Sequence, residues 1–116
     1  MAAPQDPLIE HTLQYALAIR DFGKHLPMTV ANVEDLKELI RTSGTVGQTY
    51  IKATQAPNKY DYKLGLKACY GQLNSTIYWL KLVDVQGQGE LEKRREQLIQ
   101  ATSELMNLLK KIIESR

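Results

Sequence analysis

Apolar residues recur three and four positions apart in four successive segments of the chain, and no segment alternates with a period of two for long. Spacings of three and four place side chains on one face of an α-helix, whereas a half-buried β-strand needs strict alternation. The dipeptide Asn-Gly, which favours tight hairpin turns, does not occur in the 116 residues. The pattern therefore predicts an all-α protein.

Helix start and stop signals divide the chain into four helices, predicted at residues 7–23, 33–56, 59–85 and 90–115. Asp6 is predicted to cap the first helix, since its carboxylate can accept hydrogen bonds from free N–H groups of the first turn. Asn32 and Asn58 are predicted to cap the second and third helices, each with an acid three residues later. Gly23 is expected to end the first helix in the left-handed conformation, and Gly87 to Gly89 to separate the last two.

Long helices joined by short connections favour antiparallel neighbours. We therefore predict an antiparallel up-down four-helix bundle, with residues 1–116 forming a single domain. The main structural alternative is a long three-helix coil with a loosely attached first helix.

Two features suggest that the bundle is a subunit of an assembly. The fourth helix carries a second apolar row, Ile99, Met106 and Ile113, which we predict to form an oligomer interface; the alternative is a terminal helix well buried within its own chain. Small residues interrupt the second and third helices, where glycine costs about 1 kcal/mol relative to alanine. They are expected to mark close helix approach, within the chain or between subunits, at Ser43, Gly44, Gly47, Gly65, Ala68, Cys69 and Gly71.

Motifs for catalysis, metal binding and phosphate binding are absent. The only histidines are His11 and His25, and His25 is expected to contact free carbonyls at the end of the first helix. Cys69 lies on an apolar face, where a thiol is usually inert packing, and a single cysteine allows no intrachain disulfide. We predict a non-enzymatic protein with no cofactor and no metal.

No apolar run approaches the roughly 20 residues of a membrane span, and residues Met1 to Asp6 do not resemble a signal peptide. We therefore expect a cytoplasmic protein with no membrane role.

Charge is distributed unevenly although the net charge is only +2. Seven bases and two acids between Lys37 and Lys81 give this segment +5, so the remainder carries −3.

Lys59, Lys63 and Lys67 recur every four residues and should form one ridge on the third helix, with Lys52 just before it. Tyrosines lie among these lysines at positions 50, 60, 62 and 70. Lysines attract phosphates and tyrosines can stack on bases, so we predict nucleic-acid binding by Lys52, Lys59, Lys63, Lys67 and Tyr60. The alternative is that the lysines form an ordinary solvated helix face.

The segment from Leu39 to Leu82 resembles bacterial four-helix-bundle proteins of the large-subunit (23S) rRNA intervening-sequence type. These are related to the accessory variability proteins of diversity-generating retroelements. The resemblance is carried by the run RTSGTVG from Arg41 to Gly47, and by Tyr78, Trp79 and Leu80. It is also carried by Ala53, Ala56, Asn58, Lys59, Asp61, Tyr62, Asn74 and Thr76. The chain departs from the family pattern at Thr49 and Lys52, and again at Gln72 and Ser75, where family members commonly carry glutamates.

The resemblance implies a four-helix bundle that assembles as a ring-like homopentamer. For the retroelement branch it also implies binding of RNA or DNA and association with a reverse transcriptase. For the intervening-sequence branch, to which this chain looks closer, it implies no definite activity. Two functional hypotheses follow: an oligomeric nucleic-acid-binding accessory factor, or a protein-interaction scaffold that binds a polypeptide partner and has no nucleic-acid role.

Overall fold

A computed structural model of the protein describes residues 6–116, which form four α-helices and no strand. The helices are α1 (Pro7–Lys24), α2 (Val30–Thr54), α3 (Lys59–Leu82) and α4 (Gly89–Glu114). Each helix packs against its neighbours in sequence, and α1 also packs against α4, which closes the bundle. The predicted four-helix bundle is confirmed, and the three-helix alternative is excluded. Residues 1–5, most of the segment predicted not to be a signal peptide, lie outside the described part of the chain.

The predicted caps of α1 and α3 are present. Asp6 accepts a hydrogen bond from the Leu8 N–H at 2.9 Å, with Pro7 at the first helical position. Asn58 accepts one from the Asp61 N–H at 2.8 Å, and its amide donates back to the Asp61 carboxylate at 3.1 Å. These side chains satisfy donors that the helix backbone leaves free at its first turn.

The predicted cap of α2 is wrong: the helix begins three residues earlier, with Thr29 as the cap. The Thr29 hydroxyl accepts from the Asn32 N–H at 3.1 Å. The side chain of Asn32 is instead 1% exposed, and its amide donates to the carbonyls of Pro27 (2.9 Å) and Asp84 (2.8 Å). Its carbonyl accepts from the Asp84 N–H at 2.9 Å. Asn32 thus joins the α1–α2 connection to the α3–α4 connection.

The end of α1 also differs from the prediction, because Gly23 is helical and does not adopt a left-handed conformation. A Cβ at Gly23 would lie 2.6 Å from Leu36 Cδ1, so a larger residue there would have to displace the end of this flexible side chain of α2. The helix continues to Lys24 and is capped by His25, whose Nδ1 lies 3.0 Å from the Asp21 carbonyl oxygen. That contact is the one expected of a histidine at a helix C-terminus.

The end of α3 lies at Leu82, three residues before its predicted end at 85. Arg95 of α4 lies at this end of α3, where its guanidinium donates to the Val83 carbonyl at 2.5 Å. The same guanidinium pairs with Glu92 at 2.5 Å, and this hydrogen bond lowers the pKa of the Glu92 carboxyl. The connection then turns through Gln86 and Gly87, both with positive φ, into α4.

A layer of hydroxyl groups crosses the middle of the apolar core, and each helix supplies one member. Tyr15 of α1 and Thr102 of α4 have their oxygens 2.6 Å apart, and Thr76 of α3 and Thr42 of α2 have theirs 3.0 Å apart. Thr76 also lies near the Tyr15 hydroxyl. All four residues are buried, with Thr76 and Thr102 fully so. Each threonine hydroxyl also bonds to a backbone carbonyl of its own helix. The Tyr15 hydroxyl, in contrast, is paired with Thr102 of another helix, and this favours one axial register of α1 against α4.

Glycine at position 65 is predicted to be required, whereas glycine at position 71 is not. A Cβ at Gly65 would lie 2.5 Å from Ala53 Cβ and 3.1 Å from Ala53 Cα, but one at Gly71 would meet no atom within 4 Å. Gly71→Ala should therefore raise the free energy of unfolding by about 1 kcal/mol. Gly65→Ala should lower it by about 1–2 kcal/mol, because overpacking outweighs the gain in helix propensity. Urea denaturation of the two variants checks this, and equal stabilisation by both would contradict the close approach of α2 and α3.

Stability is predicted to fall at alkaline pH because of Tyr15. Burial raises the pKa of its phenol to about 12, although hydrogen bonds with Thr102 and Thr76 oppose the shift. The unfolded phenol ionises near pH 10. The stabilising contribution is therefore complete below about pH 10 and is lost as the pH rises to about 12, a loss on the order of 2–3 kcal/mol.

Urea denaturation across this pH range should accordingly show a shallower decline for Tyr15→Phe than for the parent protein. Tyr50, whose pKa is also raised by burial, is retained in both proteins, so the comparison isolates Tyr15. Identical pH dependence in the two proteins would contradict the assignment.

Candidate nucleic-acid interface

The predicted lysines lie at one end of the bundle, where α2 ends, α3 begins and α4 ends. Lys59, Lys63 and Lys67 follow one another at four-residue intervals along α3, as predicted, and Lys52 lies in the last turn of α2. Lys52, Lys59 and Lys67 are exposed, and Lys63 is half-buried. The end of α4 adds the exposed Lys110 and Lys111. We call the surface made by these six lysines the basic end.

Lys110 was not among the residues predicted from the sequence, yet the structure brings it beside Lys67. The two lysines line a shallow groove of 190 Å³ together with Tyr70 and Ile113, here called the α3/α4 groove. Lys67 and Lys110 are exposed, whereas Tyr70 and Ile113 are half-buried. The groove thus has charged groups at its rim and apolar surface at its floor. A helical wheel of α4, aligned antiparallel to the start of α3, would have identified Lys110 from the sequence.

Lys63 has a partner within its own chain, since its ammonium donates to the backbone carbonyl of Ser115. That carbonyl lies just beyond the end of α4, where backbone oxygens are unpaired and the helix dipole is negative. Lys63 therefore fastens the start of α3 to the end of α4. Of the four lysines predicted to bind phosphate, it is the one with a structural contact.

The other lysines of the basic end have no carboxylate partner within residues 6–116. The ion pairs of that range are Lys37–Glu34, Arg41–Glu38, Arg94–Asp21 and Arg95–Glu92, and none includes a lysine of this surface. Of the nearby acids, Asp6 caps α1, Asp61 contacts Asn58, and Glu114 is exposed at the end of α4. The basic end therefore keeps its positive charge available to a ligand.

The tyrosines among the lysines divide into two groups. Tyr60 is 73% exposed and Tyr70 lines the α3/α4 groove. Tyr50 is buried, and its hydroxyl donates to the Asp6 carboxylate at 2.6 Å. Burial and the Asp6 carboxylate both raise the pKa of Tyr50. Tyr62 is half-buried against the core. Tyr60 is therefore fully accessible to a ligand at this end, and Tyr70 is partly accessible through the groove.

Two positions that depart from the family pattern contact each other across α2 and α3. The Gln72 amide nitrogen donates to the Thr49 hydroxyl at 3.0 Å. The Gln72 amide oxygen is buried without a hydrogen-bond partner in the described residues. A neutral hydrogen bond thus joins the helices at Gln72, a position where the resemblance leads one to expect a glutamate.

The predicted oligomer-interface residues Ile99, Met106 and Ile113 are half-buried and pack against the chain's own core. Ile113 also lines the α3/α4 groove. Part of each side chain therefore serves the internal packing of α4, and part remains accessible. A subunit contact at this row stays a prediction.

A second apolar surface lies on the opposite pair of helices and was not predicted from the sequence. Leu13 is 51% exposed and Leu17 is 47% exposed on α1, and Ile51 is 39% exposed on α2. Leu13 and Ile51 line an apolar groove of 270 Å³ with Ile9, Ala16 and Gly44. We call these exposed residues and the groove the α1/α2 surface. The four-residue step from Leu13 to Leu17 would have indicated this separate apolar stripe from the sequence.

Cys69 is fully buried, and its thiol donates to the Val46 carbonyl at 3.6 Å. Burial raises the pKa of the thiol to about 11, so it is protonated at neutral pH. This agrees with the prediction of inert packing.

No group of three or more His, Cys, Asp or Glu side chains within residues 6–116 is placed to hold a metal ion. Over the same residues, no helix has the length and apolar character needed to cross a membrane.

The fold is similar to that of a protein of unknown function from the S23 ribosomal protein family of Bacteroides thetaiotaomicron VPI-5482, known from a crystal structure. The two structures superpose with a TM-score of 0.78 over 92% of this chain and 98% of the other. Sequence identity is 24%, so the likeness establishes a shared fold. No protein-family model matches the chain, and no curated protein matches it. The chain therefore has the four-helix fold of a protein from the S23 ribosomal protein family.

Proposed function

We propose that the chain is a non-enzymatic accessory protein that binds RNA or DNA through its basic end. The main support is that Lys52, Lys59, Lys67 and Lys110 lie at one end of the bundle and have no carboxylate partner among the described residues. Unpaired lysines release counterions from a phosphate backbone when they bind it, and this favours association at low salt. The S23 ribosomal name of the structural neighbour and the family resemblance agree with a nucleic-acid role. A reverse transcriptase is the protein partner that the resemblance would imply.

Fluorescence anisotropy with structured RNA and with duplex DNA over a salt series tests this proposal. Changing Lys59, Lys67 and Lys110 to Gln should weaken binding and reduce the slope of log K against log salt by about 2–3, near 0.7–0.9 for each phosphate that is no longer neutralised. A control with Lys37, Lys81 and Lys93 changed to Gln removes the same charge from exposed positions outside the basic end. No binding by the parent protein at low salt, or equal effects of both triple variants, would contradict the proposal.

We also propose that copies of the chain assemble into a homo-oligomer, a pentamer if it follows the resemblance. Two surfaces compete for the subunit contact: the Ile99, Met106 and Ile113 row, and the α1/α2 surface. The α1/α2 surface is favoured because Leu13 and Leu17 are about half exposed, whereas the α4 row is already packed against the core. The same surface is the observation that favours the alternative function, a scaffold for a polypeptide partner.

Light scattering at micromolar concentration should give about five times the 13.2 kDa monomer mass. Leu13→Ser with Leu17→Ser should reduce the mass toward the monomer, because it removes exposed apolar area without disturbing the core. Met106→Ala should leave the mass unchanged; if it instead dissociates the assembly, the α4 row is the contact. A parent protein of 13.2 kDa in solution would refute assembly.

A further inference from the structure

We propose that the α3/α4 groove is a subsite for one unpaired nucleotide of a single-stranded nucleic acid. Its base would lie against Tyr70 and Ile113, and its flanking phosphates against Lys67 and Lys110. This inference rests on the proposed nucleic-acid function and adds to it both the form of the ligand and the residue that contacts a base.

The distribution of burial in the groove fits the two parts of a nucleotide. The ammonium groups of Lys67 and Lys110 come from different helices and stand at the exposed rim, whereas Tyr70 and Ile113 form a half-buried floor. A phosphate needs the charge at the rim and gains nothing from an apolar floor. A base needs the floor, since an aromatic side chain offers a face on which any base can stack.

The apolar floor is also the reason for expecting an unpaired strand. In a duplex the bases are stacked inside the helix and only the backbone and groove edges are accessible. A duplex could therefore contact the lysines but would leave Tyr70 and Ile113 uncovered. A single strand can turn one base toward the protein, which covers the floor while its phosphates meet the lysines.

The groove is held open by contacts within the chain. Lys63 precedes Lys67 by one turn, and its hydrogen bond to the Ser115 carbonyl joins α3 to α4 at the end of the groove. Ile113 lies two residues before Ser115 and packs against the core. The two walls are thus fixed before any ligand arrives, so binding need not include the ordering of these helices.

The test compares a fluorescent oligouridine and oligothymidine with a duplex DNA of equal length at one low salt concentration. Single strands should bind more tightly than the duplex. Tyr70→Leu, which retains apolar packing but removes the aromatic face, should weaken single-strand binding by about fivefold to a hundredfold and leave duplex binding unchanged. Tyr78→Leu is the matched control, since Tyr78 is an exposed tyrosine of the same helix but lies near its other end, away from the groove. Unchanged thermal stability of Tyr70→Leu establishes that the weaker binding does not come from unfolding.

The outcomes separate this inference from the proposed function. Equal affinity for single strands and duplex, lowered by the lysine variants but not by Tyr70→Leu, would overturn the subsite and leave the proposed function standing. No binding to either form would overturn the proposed function itself. Displacement of the oligonucleotide by polyglutamate, with the same dependence on Tyr70, would assign the groove to an acidic polypeptide and overturn the nucleotide subsite. Similar affinities for oligouridine and oligothymidine support a subsite that does not distinguish RNA from DNA. A difference in affinity identifies which of the two strands is preferred.

Discussion

The contact between hydroxyl groups in the centre of the core is the constraint on which the remaining geometry depends. Apolar side chains attract one another without strict direction, so helices packed by leucine alone could slide by a turn at small cost. Tyr15, Thr42, Thr76 and Thr102 reduce that freedom, because a shift of one helix would break a hydroxyl contact between helices and, at Tyr15, would leave a buried hydroxyl without its Thr102 partner. The layer therefore favours one relative height of α1 against α4 and of α2 against α3.

The register set in the core determines which surface residues meet. Gly65 faces Ala53 and Gly47 faces Thr12 at the distances of direct contact, so α2 is closely approached by both α3 and α1. Between α3 and α4, Lys67 lies beside Lys110 and Lys63 reaches Ser115. A surface composed of residues far apart in sequence is thus a product of how the helices are aligned.

Local signals were sufficient for the helices, the bundle and two of the caps, because Asp6 and Asn58 act on backbone groups within a few residues of themselves. They failed where a side chain serves a distant part of the chain. Asn32 carries the right residue type for a cap, but two connections compete for its amide, and Thr29 is free to cap instead. The row of lysines on α3 was predictable from their spacing. The position of Lys110 beside that row, the burial of Tyr50 and the exposure of Leu13 depend instead on how the helices pack against one another.

Asn32 links two connections that are 52 residues apart in the chain. One amide group therefore restricts both the α1–α2 connection and the α3–α4 connection. The Asn32 side chain has all of its partners only when both connections are in place. The two helical hairpins thus depend on each other for the full set of hydrogen bonds at these turns, which favours their folding as one cooperative unit.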